Sequence, residues 1–259
     1  MIVEEHFAGY RTIGKRPYQQ DTYAFCPEDD DNLVLALADG AGGHQSGEVA
    51  SEAATHSFLD SYFSNPATPE HERMASALDA ANLAVGNEAH RLEQDLGTTL
   101  ICLHCKRTDH GGELRWVSVG DSPLFLFRPT EKRLKRLNAD HSMRELLKKE
   151  VAEGRISAVE AAKDPNRNTL LSALSGEPLQ LIDNPEPPLN LDPEDIVLAA
   201  SDGIHTLDDT EIFQLINDKR EAPARTIAKR LIAAVVEKNN PTQDNTTAAI
   251  VKIPGGNSA

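Results

Sequence analysis

Four aspartates share one local setting in this sequence: Asp39 in ADGAGGH, Asp121 in VGDSP, Asp202 in SDGI and Asp244 in QDNTT. Aspartate carries the shortest carboxylate, and strand pairing nearby would hold its oxygens in place. Glycine beside Asp39 and Asp202 lets a main-chain carbonyl or a ligand come close. Gathered at one sheet edge, three or four such groups repel one another unless cations lie between them. Oxygen-only ligation selects hard ions, Mg²⁺, Mn²⁺ or Ca²⁺, over zinc or copper. A site with few protein ligands and room for water suits Mg²⁺ or Mn²⁺. Two such ions roughly 3.5–4 Å apart can share a hydroxide and clamp an in-line phosphoryl displacement. That route needs no nucleophilic serine, and neither G-x-S-x-G nor S-x-x-K occurs in the sequence. Asp-Gly and Asp-Asn are also ordinary turn dipeptides. The chemical reading rests on their recurrence at strand ends.

The elements that must position these groups are legible in outline. Residues 32–38 (NLVLALA) form an apolar run of strand length that ends at Asp39-Gly40. Residues 196–201 repeat the device, so that LVLALADG is echoed by IVLAASDG. Asp244-Asn245 leads into a β-branched final strand over 246–253. Residues 114–119 and 124–128 alternate, and the Gly120-Asp121-Ser122-Pro123 between them reads as a hairpin-like turn. Ser46, with Glu48 behind it, reads as the N-cap of a helix that follows the Gly-rich turn. Residues 69–95 predict a second long helix. Two short helices are expected over 141–175, and two more over 209–238, with Pro223 near the start of the last. The expected organisation is one domain over 1–254, with a small inserted lobe at about 141–178 and a disordered tail at 255–259.

Bulk properties narrow the function classes. The chain has 259 residues and a formal net charge of −15, from 41 acidic and 26 basic residues. Such a surface repels a phosphate backbone, which argues against nucleic acid or an anionic membrane as partner. The N-terminus lacks the basic start and apolar stretch of a signal peptide, so a cytoplasmic protein is expected. Cys102 and Cys105 form a C-x-x-C inside a strand-like run. Residues three apart on a strand face opposite sides, so buried cysteines are expected there rather than a zinc or redox pair.

In order along the chain stand R-x-x-x-Q-D (16–21), D-G-x-G-G-H-x-x-G-E-x-A-S (39–51), G-T-T (97–99), G-D-S (120–122), S-D-G (201–203) and D-N-T-T (244–247). This series resembles the bacterial type 2C protein phosphatases, metal-dependent enzymes that act on phosphoserine and phosphothreonine. The resemblance runs from about residue 6 to 253, and the segment near 141–178 resembles the family's flap subdomain. It implies an α+β fold, a four-layer αββα sandwich of two antiparallel sheets flanked by helix pairs. It implies that Asp39 bridges two Mn²⁺ or Mg²⁺ ions, with the Gly40 carbonyl as a further ligand. Asp202 and Asp244 then complete the first ion's shell, and Asp121 with Asp202 holds a third ion. Asp21 orients metal-bound water, and Arg16 grips the substrate phosphate. Asn245 and Thr99 support these groups. Phosphorylated proteins, the targets of a cognate Ser/Thr kinase, are the implied partners, and a monomer is expected.

The sequence departs from the family pattern in four places. Gln19 stands where Asn is usual. Ala41 fills the slot that holds a histidine in eukaryotic relatives, which leaves His44 as a candidate proton donor; a turn-positioning role for His44, with metal-bound water as donor, is the alternative. Pro123 replaces the arginine after G-D-S, and Asp164 replaces the histidine of the flap's H-P. An acidic flap would favour basic phosphopeptides. Three other readings keep some or all of these features: a phosphatase dedicated to one regulatory phosphoprotein, a binding module without turnover, and a Mg²⁺ hydrolase acting on nucleotides. All four metal aspartates are present, which argues against the binding module.

Overall fold

The computed structural model describes residues 5–41 and 46–255. The chain begins with strands β1 (Phe7–Thr12), β2 (Asp21–Pro27) and β3 (Asn32–Ala41), followed by helices α1 (Ser46–Phe63) and α2 (Glu70–Leu92). Strands β4 (Gly97–Thr98), β5 (Leu100–Thr108), β6 (Gly111–Val119), β7 (Leu124–Phe127) and β8 (Lys135–Arg136) come next. Helices α3 (Met143–Ala152) and α4 (Ala158–Lys163) precede β9 (Leu189–Leu191) and β10 (Ile196–Ala200). A 3-10 turn (Asp202–Thr206), α5 (Asp209–Asn217), α6 (Ala224–Glu237) and β11 (Thr246–Lys252) complete the chain. One sheet runs β1-β11-β10-β7-β8 and the other β2-β3-β5-β6-β9, with β4 paired to β3. Every strand pairing is antiparallel.

Strand alternation sorts the core into three layers of contact. On β3, Leu33, Leu35 and Leu37 meet Val197 and Ala199 of β10 in the space between the sheets. Val34, Ala36 and Ala38 point the other way, onto Ala54 and Phe58 of α1 and Met74 of α2. On the far side Ile196, Leu198 and Ala200 pack on Ile212 of α5 and Ile227 and Leu231 of α6. A strand covered on both faces needs apolar residues at every position, which is why β3 and β10 read as unbroken apolar runs. The result is the αββα sandwich. Cys102 belongs to the helix-side layer and Cys105 to the intersheet layer, so the two thiols lie on opposite faces of β5. Burial pushes both thiols up, Cys105 to about 12.

Two local expectations change. The segment 120–123 is not a hairpin turn: β6 pairs with β5 and β9, whereas β7 pairs with β10 and β8. The chain crosses from one sheet to the other there, and Trp116 of β6 and Leu126 of β7 both belong to the intersheet core. Gly120 makes the crossing possible with φ +102°, and a Cβ there would lie 2.6 Å from Thr99 Cγ2. Ser46, expected as an N-cap, is itself helical in α1, and its hydroxyl donates to Gln94. The insert does hold two short helices. Backbone bonds between Thr98 of β4 and Leu174 tie it to the sheet, and bonds between Ser118 of β6 and Asp183 tie the segment that follows it. Among the described residues no helix is long and apolar enough to cross a membrane.

Candidate metal centre

Antiparallel pairing puts the ends of β3 and β10 beside the starts of β2 and β11, and every singled-out aspartate sits at one of these ends or at the β6–β7 crossing. Asp21 opens β2 and stands directly opposite Asp39 on β3. Asp202 follows β10, and its backbone N–H donates to Asp39 Oδ2 at 3.4 Å. Asp244 precedes β11, and Asp121 lies in the crossing after β6. The structure thus brings together five carboxylates from five separate stretches of sequence.

Their charges act on one another. Burial, then Asp21, Asp202, Asp121 and Asp244, hold the Asp39 carboxyl well above the usual carboxylate range. Asp202 is raised by burial and by Asp244. Asp121 is pushed up to about 7 by burial and Asp202, against the pull of Arg144. Asp21, only 1% exposed, is pushed up to about 6 by burial, although Thr247 and Ser201 hydroxyls both donate to its Oδ2 at 2.7 Å. Its other oxygen, Oδ1, is buried without a hydrogen-bond partner. An orphaned carboxylate oxygen is costly unless something cationic or a donor reaches it.

The supporting residues explain how this crowd is held. Asp39 N–H donates to Thr99 Oγ1 at 3.1 Å, and Thr98 and Thr99 both donate to the Asp39 carbonyl at 2.9 Å. Gly40 lies where α1 crosses β3: a Cβ there would sit 2.0 Å from the Gly47 carbonyl oxygen. Arg16 Nη2 donates to Asp244 Oδ2 at 2.6 Å, from a loop that Asn245 pins. The Asn245 side chain accepts from Gln20 N–H at 2.8 Å and donates to the carbonyls of Ile13 at 2.8 Å and Tyr18 at 3.0 Å. Asn245→Ala therefore strips three hydrogen bonds from the Arg16 loop at a 3% exposed position. The expected outcome is a loss of about 3 kcal/mol in urea unfolding.

His44 lies outside the described residues. His141 plays a structural part: its Nδ1 accepts from Gly120 N–H at 3.3 Å. Ser201, Thr247 and Gln243 were within or beside the quoted motifs, but the sequence offered no role for them. Gln243 donates to Gly203 O and Thr246 Oγ1, tying the Asp202 turn to the start of β11. Arg136, Asp140 and Arg144, which surround Asp121, carried no signal beyond the missing arginine at position 123.

A groove of about 1110 Å³ opens over the aspartates, between the insert and the 3-10 turn. Asp202 and Asp244 form part of its floor, with Arg16 at its edge. The insert presents Arg144, Lys148 and Arg167 to it, so the groove side of the flap is basic, and Asp164 does not line it.

Against this geometry, the family model described as protein phosphatase 2C matches residues 8–155, more than half of the chain. The chain belongs to the protein phosphatase 2C family. As a member, it is an enzyme of the protein phosphatase class. The serine/threonine phosphatase stp of Listeria monocytogenes is 28% identical over 246 residues, 92% of this chain and 91% of that one. The serine/threonine protein phosphatase PstP of Mycobacterium tuberculosis is 30% identical over 227 residues, which span 85% of this chain and 40% of PstP. The crystal structure of the M. tuberculosis phosphatase PstP/Ppp aligns with a TM-score of 0.76 at 25% identity, covering 96% of this chain and 98% of that one. A PstP catalytic domain in complex with two manganese ions aligns with a TM-score of 0.73 at 25% identity, covering 96% and 97%.

The residues present fit hard divalent cations. The donors are all oxygens, the carboxylates are mutually repelled, and one buried carboxylate oxygen lacks a partner. Among the described residues no three His, Cys, Asp or Glu side chains close into a ready-made cage. Mg²⁺ and Mn²⁺ need no such cage, since ions of this kind keep several waters and take few protein ligands.

Proposed function

We propose that the chain is a protein serine/threonine phosphatase whose centre is built on two Mn²⁺ or Mg²⁺ ions. Asp39 would hold both ions together with the Gly40 carbonyl, and Asp202 and Asp244 would complete the set. The observation that carries this reading is the convergence of Asp39, Asp202 and Asp244 from three strand ends, with Asp202, Asp244 and Arg16 lining one groove. When bound there, the two ions supply positive charge for the phosphoryl oxygens and make water acidic enough to attack at neutral pH. The protein's own contributions are positional. Asp21 is fixed through one oxygen by Ser201 and Thr247, which leaves its other oxygen to orient a water. Arg16 offers a planar fork that matches two phosphate oxygens, and it must leave Asp244 to do so. His44 as proton donor to the leaving serine or threonine oxygen remains part of the proposal.

Cys26, Cys102 and Cys105 are free thiols, which supports a reducing, cytoplasmic setting. Purified protein with Mn²⁺ should release phosphate from phosphoserine and phosphothreonine peptides and from para-nitrophenyl phosphate. Exhaustive chelation should abolish the release, and added Mn²⁺ or Mg²⁺ should restore it. Full activity after chelation would overturn the metal reading, and turnover restricted to phosphotyrosine would overturn the substrate class.

A further inference from the structure

Asp121 keeps different company from the other carboxylates. Arg144, on helix α3 of the insert, donates from Nη2 to Asp121 Oδ2, and its Nε lies 3.6 Å from Asp140 Oδ2. Arg136 donates from Nη2 to the Asp121 carbonyl at 3.0 Å and from Nη1 to Asp140 Oδ2 at 3.2 Å. Ser142 closes the network, donating to Asp140 Oδ1 at 2.6 Å and accepting from Arg144 Nε at 3.3 Å. The Asp121 and Asp140 side chains are 5% and 4% exposed. Two guanidinium groups thus balance two carboxylates, and neither arginine can shed its charge at any ordinary pH. The carboxylates of Asp39, Asp202, Asp244 and Asp21, by contrast, have among the described residues a single arginine partner, Arg16 on Asp244. The unbalanced negative charge, and with it the demand for divalent ions, lies on the Asp39–Asp202–Asp244 side.

We propose that the Arg144 guanidinium, and not a third divalent ion, is the resident cation of Asp121, so that the centre holds two metals and helix α3 is tied to it. The sequence context agrees: Pro123 leaves no cation beside Asp121-Ser122, and the charge arrives from the insert instead. An ion entering at Asp121 would have to break a buried charge-assisted bond and then sit among two fixed positive charges. The proposal rests on the two-metal reading above.

Equilibrium dialysis against Mn²⁺, with bound metal counted by atomic emission, tests it. The wild type and Asp121→Asn should each bind two Mn²⁺ per chain, and amides of 143–152 should exchange equally slowly with and without Mn²⁺. Arg144→Ala should admit a third ion, with affinity at Asp121 raised about tenfold or more. Arg144→Lys, which keeps the charge, should stay at two. The double variant Arg144→Ala with Asp121→Asn should return to two. Three ions in the wild type, falling to two in Asp121→Asn, would overturn this proposal alone; that comparison does not depend on any Arg144 variant folding. A count that stays at two in folded Arg144→Ala would also overturn it. Fewer than two in the wild type would overturn it together with the two-metal centre.

Discussion

Replacing Asp39 by asparagine is expected to lower Mn²⁺-dependent hydrolysis of para-nitrophenyl phosphate by about a thousandfold or more. Asp39 is the one carboxylate that faces all the others: Asp21 lies across β2–β3, and Asp202, Asp121 and Asp244 all raise its pKa. In the proposed centre it is the group shared by both ions, so losing it would remove several kcal/mol of charge stabilisation at the phosphoryl group. The effect on the fold should have the opposite sign. In the metal-free protein an ionised Asp39 opposes folding, since its pKa is raised above the unfolded value and the cost grows as pH climbs through it. The asparagine amide carries no charge, so the Asp39→Asn variant without metal should be at least as stable as the wild type at pH 7.5. Its thermal midpoint should no longer rise with Mn²⁺. Retention of a tenth of wild-type activity, or a variant that fails to fold, would sink the assignment of Asp39.

Stability of the metal-free wild type should fall as pH rises from about 4 to about 7, the reverse of a protein held by salt-bridged carboxylates. Asp21 is pushed up to about 6, and Asp39 and Asp202 are raised with it, above the unfolded range near 3.9. Between the unfolded and folded values the native state binds the extra proton, so raising the pH removes stability. A shift of the size seen for Asp21 corresponds to about 3 kcal/mol lost by pH 7. Divalent ions held by Asp39 and Asp202 would displace the protons there and favour the ionised form of Asp21 beside them, so they should recover the loss. Melting curves in EDTA and in Mn²⁺ across pH 5 to 8 would show the gap between them widening with pH. A gap that stays constant would mean that the carboxylates do not titrate with the metal.

Much of this was legible without coordinates, and the reason is local. Each aspartate announces itself through a strand terminus and a small neighbour, which are properties of a few consecutive residues. The apolar runs that end at Asp39 and Asp202 are strands buried on both faces, and their length alone sets them apart from helices. The opposed faces of Cys102 and Cys105 follow from a period of two. By the same token the order of motifs, being linear, was enough to point to the family.

What only the tertiary structure decided concerns contacts between distant parts of the chain. Asp21 is held by Ser201 and Thr247, which lie 180 and 226 residues away, and no local pattern encodes such a meeting. Alternation marked residues 114–119 and 124–128 as strands, but not that they belong to different sheets, because pairing is a choice among distant partners. The flap looked acidic through Asp164, yet helical geometry turns Arg144 and Lys148 toward the groove. The four aspartates were thus written in the sequence as residues. Their division into an unbalanced set around Asp39 and a balanced one around Asp121 came from folding, which brought Arg144 to the Asp121 carboxylate and Arg136 to its carbonyl and to Asp140, and left Arg16 on Asp244.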